Sequence, residues 1–129
     1  MNASLKSIGA ITLFVEDLQG TKSFYQDVFG RPVIYEDESS AVIKFDNTII
    51  NLLQAAGADE LIEPAAVAAS AAGSRFMVSI WVDDTDAVCA ELAKRGVPLL
   101  NGPVTREWGK RTAAFADPAG HIWEIAQDV

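Results

Sequence analysis

The feature that most constrains this chain is an order of elements written twice: strand, helix, then three strands. Ile8 to Val15 alternates as a strand does, and Val15-Glu-Asp-Leu18 leads into a helical stretch ending at Phe29-Gly30. Sixty-seven positions later the pattern returns: Phe76 to Val82 reads as a strand, and Val82-Asp-Asp-Thr85 opens a helical stretch ending at Arg95-Gly96. In both copies an Asp (Asp17, and Asp83 or Asp84) stands where a side-chain oxygen accepts a first-turn N–H. In both, a Gly follows the last helical residue, as a left-handed C-terminal cap requires. Leu18, Tyr25, Val28 and Phe29 fall near helical spacing in the first helix, as do Val88, Leu92 and Ala93 in the second.

Three strand candidates follow each helix. In the first copy they are Pro32–Glu36, Ala41–Phe45 and Thr48–Gln54, the last two joined by a two-residue hairpin turn at Asp46-Asn47. In the second they are Val97–Leu100 (resuming at Val104), Thr112–Ala116 and His121–Gln127. The Ala-rich stretch between the copies, about 55–74, reads as a connector, with Ala65 to Ala72 a candidate short helix.

The last strand carries the most informative residue. In Phe115-Ala-Asp-Pro-Ala-Gly-His-Ile-Trp-Glu124, Asp117, Pro118 and Gly120 take the first, second and fourth places of a type I turn. Past the turn, Ile122, Glu124 and Ala126 point to one face and Trp123, Ile125 and Gln127 to the other. A single acid set among apolar residues of a strand needs a reason.

Composition excludes several classes. The chain has 129 residues, half of them hydrophobic and 22% charged, enough for one domain with a true core. Its net charge of −8, from 18 acidic and 10 basic residues, argues against nucleic acid or an anionic membrane as partner. Met1-Asn-Ala-Ser-Leu-Lys starts no signal peptide, and no run approaches the ~18 apolar residues of a membrane helix, so a cytoplasmic protein is expected. Cys89 is the only cysteine, which rules out an internal disulfide. No phosphate-loop or dinucleotide spacing is present.

Val15-Glu-Asp-Leu18 with Phe24-Tyr25, Val82-Asp-Asp84 and Asp117-Pro-Ala-Gly-His-Ile-Trp-Glu124 resemble the vicinal oxygen chelate superfamily. That superfamily includes glyoxalase I, extradiol dioxygenases, fosfomycin-modifying enzymes and bleomycin-resistance proteins. The resemblance runs from about Ile8 to Gln127. It implies an α+β fold of two βαβββ modules, about 8–54 and 75–127, with mixed sheets curled around a cavity in a single domain. It also implies a homodimer and, in some members, antibiotic resistance. It says little about the reaction, because one scaffold hosts many.

In metal-dependent members each module contributes ligands from its first and last strands. By the same resemblance those places fall on Ala10, Asn51 (or beside it), Met77 and Glu124. A catalytic zinc takes three ligands from His, Cys and carboxylates. Only Glu124 qualifies, since a methyl, a neutral amide and a soft thioether occupy the rest. No cofactor is therefore expected, with a divalent metal as the less favoured alternative.

Alternation then places Ala10, Thr12, Phe14, Ile49, Asn51, Leu53, Met77, Ser79, Trp81, Ile122 and Glu124 on the inward faces. This is an apolar, aromatic-bearing lining with a few polar groups, as small-molecule sites have. Trp108-Gly109 is a candidate cover for its mouth. Expected ligand-binding residues are Thr12, Phe14, Asn51, Met77, Ser79, Trp81, Trp108, Arg111 and Glu124. Without a metal, Glu124 needs an arginine (Arg75 or Arg111), a raised pKa, or a cationic group on the ligand. A raised pKa would make it the catalytic acid or base.

The remaining candidates have plainer readings. His121 reads as a solvent-facing turn residue, Cys89 as buried core, and Asp83, Asp84 and Asp86 as helix-start acids. Trp123 should pack under a helix; Trp81 is either core or pocket lining. Two functions of different class remain. The favoured one is a metal-free protein that sequesters a small aromatic or cationic compound. The other is a glyoxalase-like lyase or dioxygenase-type enzyme using Glu124 as metal ligand or proton-transfer group.

Overall fold

The computed structural model describes residues 4–129, so Met1-Asn-Ala of the N-terminal stretch lies outside the described residues. The chain divides between Val67 and Ala68 into two compact units. The first contains β1 (Ile11–Val15), α1 (Leu18–Phe29), β2 (Val33–Glu36), β3 (Ser40–Lys44) and β4 (Ile49–Gln54). The second contains β5 (Met77–Trp81), α2 (Thr85–Lys94), β6 (Asn101–Thr105), β7 (Lys110–Ala116) and β8 (Ile122–Asp128). This is the α+β, twice-written order read from the sequence.

Each unit holds one open four-stranded mixed sheet, ordered β1-β4-β3-β2 in the first and β5-β8-β7-β6 in the second. The first and last strands run parallel, and the remaining neighbours are antiparallel. In the first unit the helix-side face is apolar: Leu13, Val15, Ile43, Ile50 and Leu52 are buried with Tyr25 of α1. Tyr25 also stacks on Phe29, with centroids 5.3 Å apart. In the second unit Trp123, Ile125, Ala113 and Phe115 are buried on one face of the sheet, with Leu92 of α2. Trp123 therefore packs opposite Glu124, as alternation required.

Both helices start and stop by the devices read from sequence. The Asp17 carboxylate accepts from Gly20 N, and of the two candidates in the second copy it is Asp84 that caps, accepting from Ala87 N. Gly30 closes α1 in the left-handed region, and Gly96 does so for α2 at φ 74°. Val97 N donates to Leu92 O and Gly96 N to Ala93 O, which completes a Schellman ending.

That ending corrects the first expected strand of the second copy. Val97–Leu100 is not a strand; pairing begins with Leu100 N on Ala114 O and continues as β6. The Val97 N–H is already used by the helix, and Pro98 has none to offer. Ala65 to Ala72 forms no α-helix either, only a 3-10 turn at Ser70–Ala72, with another at Ala58–Leu61. The Asp46-Asn47 hairpin is real, but neither residue has positive φ, so it is not a primed turn. β1 begins at Ile11 rather than Ile8. No helix among the described residues is long and apolar enough to cross a membrane.

β6 is an edge strand whose register shifts between Asn101 and Val104. Gly102 sits in this bulge at φ 86°, where a Cβ would lie 2.4 Å from Thr112 O and 2.8 Å from Ala113 Cα. Gly109, in the β6–β7 turn, has φ 89° and open space around it. Gly109→Ala should cost about 1–2 kcal/mol, the left-handed penalty alone. Gly102→Ala should cost clearly more, because backbone atoms must also move. Chemical denaturation midpoints of the two variants measure the difference.

Candidate functional site

The parallel pair β5–β8 sets the site-bearing surface of the second unit. Met77 lies opposite Ile122, Ser79 opposite Glu124 and Trp81 opposite Ala126. All six side chains are on the face turned away from Trp123. Ser79 Oγ donates to Glu124 Oε1 at 2.9 Å, and Glu124 is half-buried. A serine hydroxyl is therefore its hydrogen-bond partner among the described residues, and neither arginine considered for that place is. The first unit repeats the rung in neutral form: Thr12 lies opposite Asn51, whose Nδ2 donates to Thr12 Oγ1 at 3.5 Å. Phe14 follows on the same face, opposite Leu53.

Each rung is held by a device that sequence reading missed. Gln127, at the end of β8, accepts from Thr85 N, the first residue of α2, at 2.8 Å. Gln54, at the end of β4, accepts from Leu18 N, the first residue of α1, at 3.3 Å and donates to Glu16 O. Each amide thus satisfies an N–H that the helix itself leaves unpaired, and locks the last strand to the helix start. The available signal was the recurrence of Gln three positions after Asn51 and after Glu124.

Arg111 is the main correction. It is an odd-numbered neighbour on β7, and it projects to the helix side rather than toward Glu124. There it makes two hydrogen bonds to Asp86 of α2, both 2.9 Å, and a third to Thr105 Oγ1 at 3.0 Å. The guanidinium hydrogen bonds hold the Asp86 carboxyl below its ordinary range. Arg106 is the arginine that the Glu124 face does receive: Nε donates to Thr112 Oγ1 at 3.0 Å and Nη2 to Asn101 Oδ1 at 3.1 Å. Its guanidinium carbon lies 5.9 Å from the ring centre of Trp108, which is exposed in the β6–β7 turn.

His121 departs from expectation too. It folds back from the turn so that Nδ1 lies 3.0 Å from Asp117 Oδ2, and the Phe76 ring sits 6.4 Å away. Asp117, buried, also accepts from Ala119 N and His121 N at 2.9 Å each. The dyad locks the turn ahead of β8. Cys89 is buried core as expected, and burial raises its thiol pKa, with Asp86 adding to the effect. Trp81 resolves toward the surface: it is 72% exposed and lines a hollow of about 360 Å³ with Val82, Asp83, Lys110, Ala126 and Asp128.

The model of the Glyoxalase/Bleomycin resistance protein/Dioxygenase superfamily matches residues 7–125. The chain belongs to that superfamily. It is 33% identical over 119 residues to YraH of Bacillus subtilis (strain 168), covering 89% of this chain and 93% of that protein. It is 28% identical over 122 residues to the metallothiol transferase FosB of Lysinibacillus sphaericus (strain C3-41), covering 95% and 82%. A crystal structure of a glyoxalase/bleomycin resistance protein/dioxygenase from Nocardioides superposes with a TM-score of 0.88 at 23% identity, over 99% of this chain and 87% of that one. That last likeness bears on the fold.

The superfamily's metal-dependent members imply a metal, and donor chemistry tests the fit. Beside Glu124 the β5 strand offers the Ser79 hydroxyl and the Met77 thioether, while Ala10 offers nothing and Asn51 a neutral amide. Among the described residues no three of His, Cys, Asp or Glu gather as a metal site needs. The set does not fit a three-ligand catalytic zinc.

Two measurements check the electrostatics. Because the folded Asp86 value lies below its unfolded one, the Arg111 pair stabilises at and above the ordinary carboxylate range and is lost as pH falls through the lowered value. In Arg111→Met, the Asp86 carboxyl carbon should titrate at higher pH in an NMR titration. Cys89 should react with a thiol reagent far more slowly in the native protein than in denaturant.

Proposed function

We propose that this protein binds and sequesters a small aromatic or cationic compound, without a functional metal site. The observation that carries the reading is Glu124: an acid on the open face of β8, half-buried, with a neutral serine as its hydrogen-bond partner. At half-exposure the acid needs no built-in counter-charge, so a ligand cation or hydrogen-bond donor can take the place of water at its free oxygen. Ser79 orients the acid and leaves its second oxygen for the ligand. Trp81, on the next rung, adds an indole face for stacking.

Glu124, Ser79 and Trp81 are the proposed ligand-binding residues of the second unit, and Thr12, Phe14 and Asn51 those of the first. Met77 adds apolar surface, Arg106 takes the place expected of Arg111, and Trp108 stays a candidate contact. The protein acts as a homodimer in the cytoplasm in this reading.

A second reading has one observation in its favour, the 28% identity to a metallothiol transferase over most of both chains. On that reading Glu124 is a metal ligand or proton-transfer group in an enzyme. Metal analysis of protein purified without an affinity-tag metal separates the two. The binding reading expects less than about a tenth of an equivalent and no uptake of zinc, nickel, manganese or iron, given the missing donors. Near one equivalent, lost in Glu124→Ala, would replace it with the enzymatic reading. In a thermal-shift screen of cationic antibiotics and aromatic amines, a hit should lose about tenfold or more in affinity in Glu124→Gln, as a charged hydrogen bond is removed. Hits indifferent to that substitution would refute the role of Glu124.

A further inference from the structure

The hollow beside Trp81 is lined by a positive charge that belongs to the chain, and that charge sits against the indole ring. Lys110 and Asp128 face each other across β7 and β8, and they form an ion pair. From there the Lys110 ammonium reaches diagonally over Ala126 to lie 5.0 Å from the ring centre of Trp81. An indole face, a carboxylate and a cation between them are the elements by which proteins recognise organic ammonium groups. Asp83 lines the same hollow, so without the lysine it holds two acids, an indole and no cation.

Neither partner needs Lys110 for burial. Trp81 is largely exposed and the Asp128 carboxylate is almost wholly exposed. Surface ion pairs and exposed cation–π contacts are each weak. The Lys110 side chain keeps about a third of its surface exposed, and a ligand cation would compete for these two contacts in a hollow of about 360 Å³, the small end of the ligand-pocket range.

We infer that the Trp81–Asp128–Asp83 hollow is a subsite for an organic ammonium group, and that Lys110 is a tethered surrogate which an incoming ligand cation displaces. The inference rests on the binding function proposed above and names the ligand class that function would serve. Trp81 stands two residues from Ser79 on β5, about 7 Å along the strand. A ligand with its ammonium over Trp81 thus has room for roughly one ring's length of apolar body before it meets the Ser79–Glu124 pair. Displaced, Lys110 swings into solvent, where its own hydration offsets part of the loss. Affinity for the ligand is therefore set by competition with the chain's own cation.

The test uses benzyltrimethylammonium as probe and benzenesulfonate as its anionic counterpart, at fixed ionic strength. The full-length protein is used, and the Trp81 indole N–H, assigned through Trp81→Phe, is followed by NMR. Benzyltrimethylammonium should shift that signal saturably, and Lys110→Ala should bind it about tenfold more tightly, the scale of one removed cation–π competitor. Lys110→Arg, which keeps a tethered cation, should behave like the parent protein. Lys94→Ala removes the same charge from the last turn of α2 and should leave the affinity unchanged. Trp81→Leu should abolish the gain.

Equal or weaker binding in Lys110→Ala would overturn the surrogate role. Equal tightening in Lys94→Ala would reduce it to net charge and overturn it as well. Binding of benzenesulfonate that disappears in Lys110→Ala would make the hollow an anion site and overturn the ligand class. A screening hit that depends on Glu124 but ignores Trp81→Leu and Lys110→Ala would sink this subsite while leaving the binding function standing. A Trp81 response to the cationic probe with no Glu124-dependent hit would do the reverse.

Discussion

The structure depends most on the parallel pairing of the first and last strands in each unit, and on the glutamine that fixes its register. A strand's side chains alternate, so a slip of one residue exchanges its two faces. In β8 such a slip would put Glu124 under α2 and Trp123 in the open. Gln127 opposes it by bonding the first N–H of α2, while Thr85, buried, donates to Arg111 O on β7. One helix start is thereby joined to two strands. Gln54 makes the matching bond at the start of α1.

On this repeated frame, the two units carry different chemistry at equivalent rungs. Thr12 and Ser79 stand at matching places on the first strands, and both bring a hydroxyl to the open face. Their partners differ: Asn51 is a neutral amide, Glu124 a carboxylate. A half-exposed sheet face tolerates either, because water completes what the hydroxyl does not. A fully buried rung would have demanded a paired counter-charge. The scaffold is duplicated; the charge is not.

Electrostatic partners on the second unit follow the same parity. Arg111 is adjacent to Lys110 in sequence, yet the two serve opposite faces of β7. Arg111 binds Asp86 on the helix side, and Lys110 crosses the open face toward Trp81. Arg106 reaches Thr112 and Asn101 from a turn, where no alternation rule assigns a face. Its guanidinium also lies over the Trp108 ring, 5.9 Å from the ring centre. The Glu124 face thus receives its arginine, Arg106, from a hairpin turn rather than from Arg111, the strand residue that a count along the chain would select.

The sequence alone determined the element order, the Asp17 cap of the first helix, the glycine ends of both helices, the turn at Asp117–Gly120 and the face on which Glu124, Ser79 and Trp81 stand. Those features rest on short-range physics: alternation, capping oxygens and the backbone freedom of glycine act within a few residues. Tertiary structure decided the rest. It chose Ser79 over an arginine as the neighbour of Glu124, turned His121 onto Asp117, and released Val97–Leu100 from the sheet. It also joined Lys110, Asp128 and Trp81 from three strands. Each of those outcomes depends on which residues meet across strands or beyond a helix end, and pairing register and competition for N–H groups settle that only when the chain folds.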